Sequence, residues 1–245
     1  KQKTAYEISL GLVGSEMCIR DSMRGEWIKL SPETTGMSSQ AEICVFTRQA
    51  ASAVKATTMD RPEWVAINPS KVEVYCSLSH NKNRGKMPNA GGDETPVNGP
   101  NPRVGNIYGQ IVRWTPIDSD HTANSFTWDL FVLAGNPTVH SDLNAGSTNI
   151  NANNLFNSPD GITIDENHLM WIRTDGKYTN KGNYAGMGNN QMLVADTISG
   201  EIQRFLVGPR ESEIAGLAWS TDKKTLFLCI QHPGYKGCLL YTSPS

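Results

Sequence analysis

Two acidic residues stand beside glycines at the ends of one stretch, residues 157–177. Asp160 precedes Gly161 near its start, and Asp175 precedes Gly176 near its end. Between them, apolar and polar residues alternate as in two short strands joined by a polar turn. In an antiparallel hairpin the first strand begins where the second ends. The sequence therefore predicts that Asp160 and Asp175 share one mouth of a sheet.

The pattern of strand, polar turn and strand occurs three times along the chain, at residues 61–80, 157–177 and 213–232. The second and third copies begin about 55 residues apart, close to the spacing of propeller blades. Superposition of the copies makes Glu63 equivalent to Asp160, and Glu213 lies within two residues of the same position. Because first strands line the channel of a propeller, these carboxylates are predicted to converge on its axis.

Several carboxylates with carbonyl and amide oxygens nearby suit Ca²⁺, which takes oxygen ligands. No cluster of His and Cys residues has the spacing of a zinc site. The predicted metal ligands are Glu63, Asp160, Asp175 and Glu213.

A basic residue accompanies two of these acids. Arg61 is two residues before Glu63, and Lys177 is two residues after Asp175, so in extended backbone each shares a side with its acid. A guanidinium and an ammonium beside a metal ion suit a phosphate ester, which the metal would polarise. The alternative is that the Asp-Gly pairs only form turns and that Arg61 and Glu63 form a weak surface ion pair. The equivalence of Glu63 and Asp160 favours a site.

The elements that must position these residues are short strands, because Gly, Asn and Pro are plentiful and runs of helix formers are few. Further strand pairs complete two sheets: 110–114 with 127–133, and 191–196 with 201–206. The sequence predicts an all-β chain that is part of a β-propeller, with about two and a half four-stranded blades. An all-β sandwich is the alternative.

Outside the blades, residues 41–47 are predicted to form a strand and residues 48–56 a short helix. Three long polar segments are predicted to be disordered or to form walls of the site: 81–106, 135–154 and 178–190.

The bulk composition excludes some partners. The formal net charge is -2 over 245 residues, which favours neither nucleic acid nor an anionic membrane. No apolar run is long enough to span a bilayer. The five cysteines include no CxxC pair. Cys44, Cys76 and Cys229 lie in apolar runs and are predicted to be buried thiols.

The two ends look foreign to the rest of the chain. Residues 1–22 and 235–245 resemble translated sequencing adapters, and the first lacks the apolar run and cleavage site of a signal peptide. We therefore expect a native segment, 23–234, cut from a longer reading frame and flanked by two non-native tails.

Six segments, in order, resemble the C-terminal half of PhoX-type alkaline phosphatases: 59–64, 126–135, 154–161, 171–177, 186–193 and 230–234. The resemblance implies a six-bladed-type propeller that hydrolyses phosphomonoesters with Ca²⁺ and Fe³⁺. It also implies export through the twin-arginine route to the periplasm or beyond. Glu63 and Asp175 are implied as metal ligands, with Asp160 and Glu213 beside them, and Arg61 and Lys177 as phosphate contacts.

The family's iron-binding Cys-Glu motif lies upstream of the segments that match. We therefore expect the intact parent to be a phosphatase and this chain to bind metal poorly and turn over little. The expected partner is a small phosphoester, and no nucleic-acid partner is expected. We also expect a monomer. Two alternatives remain, a calcium-dependent lactonase of the gluconolactonase-like propellers and a non-enzymatic propeller scaffold. The cations Arg61 and Lys177 favour a phosphate over an uncharged lactone.

Overall fold

The computed structural model describes residues 23–234, which fold mainly into antiparallel β-sheet. The strands are β1 (Arg24–Glu26), β2 (Pro62–Ile67), β3 (Val74–Leu78), β4 (Gln110–Pro116), β5 (Ser125–Leu133), β6 (Pro159–Ile164), β7 (Leu169–Thr174), β8 (Gln191–Asp196), β9 (Ile202–Val207), β10 (Glu213–Trp219) and β11 (Leu226–Gln231). The α-helices are α1 (Pro32–Thr35), α2 (Gln40–Val45) and α3 (Thr47–Ala53). Short 3-10 turns span Ile117–Ser119, Leu143–Ala145 and Gly182–Tyr184.

The first sheet has the strand order β1-β5-β4-β3-β2. Strands β2 to β5 are the four predicted for the first blade. Strand β1 adds a fifth at the outer edge, where Arg24 pairs with Thr127 of β5. The sequence did not predict β1, because a strand of three residues is too short to show alternation.

The second sheet has the order β6-β7-β8-β9, and β10 and β11 form a third, two-stranded sheet. In each sheet the first strand of the repeat hairpin lies at one edge. These first strands are neighbours, since β2 contacts β6 and β6 contacts β10. The all-β class and the propeller-like series of two full sheets and part of a third are thus confirmed.

Apolar side chains pack between successive sheets. The largest cluster joins the first sheet to the second through residues such as Tyr75, Ile111, Ile162 and Ile172, all of which are almost completely buried. Between the second and third sheets, the rings of Trp171 and Trp219 meet edge to face with centroids 5.4 Å apart. Burial of this apolar surface fixes the starts of β2, β6 and β10 relative to one another.

The prediction of a strand at 41–47 is wrong, because these residues belong to α2 and the start of α3. The Ser39 side chain accepts a hydrogen bond from the Glu42 N–H, which caps the start of α2. The apolar run hid this start signal. The helix predicted at 48–56 is present as α3, whose Ala50 packs with Leu30 and Ile43.

The cysteines follow from this arrangement. Cys76 is buried in β3, as predicted, whereas Cys44 and Cys229 are exposed. Cys44 lies on the exposed side of a short helix, and Cys229 lies in β11, the last strand of the third sheet. The prediction of a buried thiol is therefore wrong for both. Within residues 23–234, no helix combines the length and apolar character needed to cross a bilayer.

Candidate active site

Two residues with left-handed backbone lie at the shared end of the first two sheets, where their hairpins begin. Arg61, just before β2, has φ 45°, and Ser158, just before β6, has φ 51°. Such angles cost about 1 to 3 kcal/mol in a non-glycine residue and persist only where the surroundings impose them. The Ser158 N–H donates to the Tyr108 carbonyl at 2.6 Å, and the Arg61 carbonyl accepts from the Ser79 N–H at 3.1 Å. These bonds hold both residues in place.

Arg61 and Glu63 form an ion pair, with Nη2 and Oε1 2.9 Å apart. The Ser79 hydroxyl donates to the same Glu63 oxygen at 3.4 Å. Arg61 is the more exposed partner, at 54% against 27% for Glu63. The pair therefore leaves part of the guanidinium free to meet a ligand.

Asp160 and Asp175 lie at the same end of the second sheet, because Pro159 pairs with Thr174. Burial, followed by the charges of Glu63 and Asp175, raises the pKa of Asp160 to about 6. The cations Arg61 and Arg173 oppose this rise. The hairpin thus brings the two acids together, and the first sheet adds Glu63 to them.

Glu213, at the start of β10, completes the group of acids. Burial, a hydrogen bond with Asp175, and the charges of Asp175, Asp160 and Glu63 raise the pKa of Glu213 to about 7. We call Glu63, Asp160, Asp175 and Glu213 the acid cluster. Their side chains interact across three sheets, although across residues 23–234 no three His, Cys, Asp or Glu side chains are arranged to hold a metal ion. The cluster is therefore loose.

A pocket of about 620 Å³ opens beside the acid cluster. Arg61, Asp175 and Lys177 line it, whereas Glu63, Asp160 and Glu213 do not. Lys82 from segment 81–106 and Tyr184 from segment 178–190 also line it, so these two loops form walls of the pocket, as predicted. The arrangement combines several cations with one carboxylate.

Asn157 and Asn190 fix the backbone that carries Lys177. Asn157 Oδ1 accepts from the Lys177 N–H at 2.9 Å, and Asn190 Oδ1 accepts from the Gly176 N–H at 2.7 Å. A Cβ atom on Gly176 would lie 1.9 Å from Asn157 Oδ1, so only glycine fits there. These two asparagines were not predicted, because the contacts join loop residues that flank different strands.

His80 and Ser158 are two further pocket residues that sequence reasoning missed. His80 Nδ1 lies 3.3 Å from Ser158 Oγ. The position of His80 was the available signal, because it ends the second strand of the first repeat, near where Asp175 stands in the second. Ser158, only 2% exposed, gave no signal because serine before Pro-Asp-Gly is ordinary turn sequence.

A buried ion pair lies directly behind Arg61. Asp60 and Arg84 are both fully buried, with Arg84 Nε 2.7 Å from Asp60 Oδ1. Asn106 Nδ2 donates to the other Asp60 oxygen at 2.9 Å. Arg84 also donates to the Thr58 carbonyl at 3.0 Å, and to other acceptors around it. This group, here the Asp60 anchor, ties segment 81–106 to the start of β2.

Arg173 is a second buried cation beside the acids. Its guanidinium lies over the Trp64 ring, 5.3 Å from the centroid, and Nη1 donates to Thr163 Oγ1 at 3.2 Å. Its Nε has no hydrogen-bond partner among the described residues. Burial lowers the pKa of Arg173, and the Asp160 charge opposes that effect. It therefore supplies part of the positive charge that faces the acid cluster.

Comparison with known proteins gives one family. A family model described as alkaline phosphatase PhoX matches residues 12–234. The match starts inside the predicted N-terminal tail and ends where the predicted C-terminal tail begins. Residues 1–22 and 235–245 lie outside the described residues, so the assignment of foreign tails stays a prediction. No curated protein matches the chain.

Among solved structures, the chain is similar to Pseudomonas fluorescens PhoX in complex with vanadate, a transition state analogue. The two share 48% sequence identity with a TM-score of 0.83 over 91% of this chain. The chain spans 39% of that protein. A gluconolactonase from Xanthomonas campestris shows 14% identity and a TM-score of 0.35, with 70% of this chain and 35% of that protein covered. This similarity is too weak to indicate a function.

Proposed function

The chain belongs to the PhoX family of alkaline phosphatases, and we propose that its pocket binds the phosphoryl group of a phosphomonoester. The observation that carries the proposal is the shared pocket of Arg61 and Lys177, which opens beside the acid cluster. The solved PhoX relative, in complex with vanadate, a transition state analogue, supports the same chemistry. In the longer protein the expected activity is hydrolysis of phosphomonoesters.

Arg61 and Lys177 have complementary roles in this proposal. Arg61 offers a planar set of donors that matches two phosphoryl oxygens, whereas Lys177 offers a point charge on a flexible stem. The bond to Glu63 limits where the guanidinium can lie. The two cations would neutralise and orient the phosphoryl group while its ester bond breaks.

We propose Ca²⁺ as the metal of the acid cluster. The donor set is entirely oxygen, which fits this ion. The raised pKa values of Asp160 and Glu213 have mutual repulsion among their causes, and a bound cation would relieve it. Because the cluster is loose, binding would have to draw the carboxylates together. When bound, the ion would polarise the ester and offset developing negative charge.

The described residues do not fit the iron site that the resemblance implies. Burial raises the pKa of the Cys76 thiol to about 12, so that thiol stays neutral and is a poor ligand. In the described part of the chain, no cysteine joins the acids in a group that could hold a metal ion. Fe³⁺ in the longer protein therefore needs ligands other than these.

Phosphate is favoured over the alternatives by charge. Three cationic side chains, Arg61, Lys82 and Lys177, line the pocket. A lactone ring carries no charge for them to bind, and a pure scaffold has no need of them. Family membership also supports an exported protein that meets small phosphoesters in the periplasm or outside the cell; a monomeric state stays a prediction.

Binding of inorganic phosphate to this chain, measured by calorimetry with Ca²⁺ present, tests the proposal. Arg61→Ala should weaken binding about tenfold or more, since one charge-assisted bidentate contact is lost. Arg210→Ala is the matched control, because Arg210 is 91% exposed and outside the pocket lining. Equal phosphate affinity in Arg61→Ala and wild-type protein would refute the proposal. Turnover of p-nitrophenyl phosphate measures how much phosphatase activity this chain has by itself.

A further inference from the structure

His80 lines the pocket and contacts Arg61, one of the two phosphate-binding candidates. Its Nε2 is 3.4 Å from Arg61 Nη1, and its Nδ1 is 3.3 Å from Ser158 Oγ. The ring is half-buried, and it lines the same pocket as Arg61 and Lys177. Both of its nitrogens therefore have a partner at the site.

The partners determine where the imidazole proton lies. A guanidinium can only donate hydrogen bonds, so His80 Nε2 must accept from Arg61. The ring proton is then on Nδ1, which donates to the Ser158 hydroxyl. That hydroxyl in turn donates to Asn157 Oδ1 at 3.3 Å. Each donor in this series has one acceptor, which leaves a single consistent direction.

Burial and the neighbouring cations favour the neutral form of His80. Burial and the nearby Arg61 charge lower its pKa, and Lys177 acts in the same direction. Asp175 and Asp60 act in the opposite direction and do not overcome the burial. A protonated ring would point an N–H at the Arg61 guanidinium, where two donors would face each other.

The series of hydrogen bonds continues to the second cation. Asn157 Oδ1 also accepts from the Lys177 backbone N–H at 2.9 Å, and its Nδ2 donates to the Lys177 carbonyl at 3.2 Å. The path from the Arg61 guanidinium through His80, Ser158 and Asn157 thus ends at the backbone of Lys177. Arg61 and Ser158, the two residues that contact the His80 ring, both have left-handed backbone.

We propose that His80 is a positioning residue, whose neutral Nδ1–H form holds the Arg61 guanidinium in register with Lys177 for a phosphoryl group. Glu63 holds Nη2 of the guanidinium and His80 holds Nη1, so the plane of the fork is fixed from two sides. The inference rests on the proposed role of Arg61 in phosphate binding. His80 itself does not touch the phosphoryl group.

Two amide substitutions separate the two halves of the ring. His80→Gln carries an amide oxygen about as far out as Nε2, so it can still accept from Arg61. His80→Asn carries its amide about as far out as Nδ1, so it can serve Ser158 but does not reach Arg61. His121→Gln, in the exposed turn before β5, is the control. Melting temperatures identify any variant that fails to fold.

We expect His80→Asn to weaken binding of inorganic phosphate about tenfold and His80→Gln to stay within about threefold of wild type. Equal affinity in both variants and wild type, or equal loss in both, would overturn the proposal. If wild-type protein binds no phosphate, the proposed function fails, and the proton position is still measurable.

Nitrogen-15 spectra of the histidine side chains provide that second measurement at pH 8. The proposal requires a neutral His80 ring with the proton on Nδ1. A proton on Nε2, or a fully protonated ring, would contradict it whatever the phosphate affinity. The spectrum tests the direction of the hydrogen bonds, whereas the unequal phosphate affinities of His80→Asn and His80→Gln separate a positioning role from a purely structural one.

Discussion

Two groups of charged residues lie within a few residues of each other and are built in opposite ways. In the Asp60 anchor, every carboxylate oxygen has a partner and the ion pair is fully buried. In the acid cluster, like charges face one another, and the pKa values of Asp160 and Glu213 are raised. Asp60 and Arg61 are adjacent in sequence, yet Asp60 belongs to the first group and Arg61 to the edge of the second.

The difference distinguishes a group of charges that stabilises the fold from a group that can bind a ligand. A group with all partners inside the protein contributes to stability and has nothing left to offer a ligand. A group with excess charge of one sign costs stability until a ligand of the opposite sign arrives. The anchor fixes the start of β2, and Arg61, with its left-handed backbone, projects from it towards the pocket. The comparison predicts opposite responses to similar substitutions.

The largest effect is expected for Arg84→Met. It leaves the Asp60 carboxylate buried without its cation, which typically costs about 3 to 5 kcal/mol in the free energy of unfolding. Urea unfolding measures the loss. The control is Arg113→Met, which breaks the partly exposed pair with Asp129 and should cost about 0 to 1 kcal/mol. Similar losses in both variants would show that the anchor is not special.

The next effect is stabilisation by Ca²⁺. At a concentration one hundred times the dissociation constant, binding to the folded state adds about 2.7 kcal/mol. We expect the melting temperature to rise with Ca²⁺ and to fall again with EDTA. Asp160→Asn should remove most of the rise, whereas Asp129→Asn, outside the cluster, should keep it. An unchanged melting temperature in wild-type protein would remove Ca²⁺ from the proposed function.

The sequence alone predicts where the acid cluster lies in the fold, but it does not predict the Asp60 anchor. Alternation of apolar and polar residues predicts the hairpins, and their repeat predicts that Glu63, Asp160 and Glu213 lie at one end of the sheets. The anchor is not predicted because Arg84 comes from a polar loop without periodicity. His80 was missed because its contact with Ser158 joins residues far apart in the chain.

One other error has a local cause. In α2, the cap formed by Ser39 outweighs an apolar run that resembles a strand. The sequence also predicts that the four acids converge, and in the structure their side chains interact as a loose group. Pattern fixes which strand end carries an acid, but rotamers and mutual repulsion fix how closely the carboxylates approach. The roles of the six predicted site residues stay predictions.

A smaller effect is expected from pH in the metal-free protein. The carboxyls of Asp160 and Glu213 have raised pKa values of about 6 and about 7 when folded, so protonation favours the folded state. Their contribution is fully present below about pH 4 and is lost as the pH rises through 6 and 7. With EDTA, the difference in stability between pH 5 and pH 8 should shrink in the double variant Asp160→Asn, Glu213→Gln. A slope identical to wild type would contradict the raised values.

The smallest effect has the most informative sign. Asp160→Asn removes one of the mutually repelling charges, so at pH 8 without metal it should raise the free energy of unfolding, by up to about 1 kcal/mol after solvent screening. Asp60→Asn, the same substitution in the anchor, should lower it, because Arg84 then loses its counter-charge. Opposite signs mean that one carboxylate is retained for stability and the other despite its cost. If Asp160→Asn also destabilises the metal-free protein, the acid cluster is another structural network, and the case for a cation site there fails.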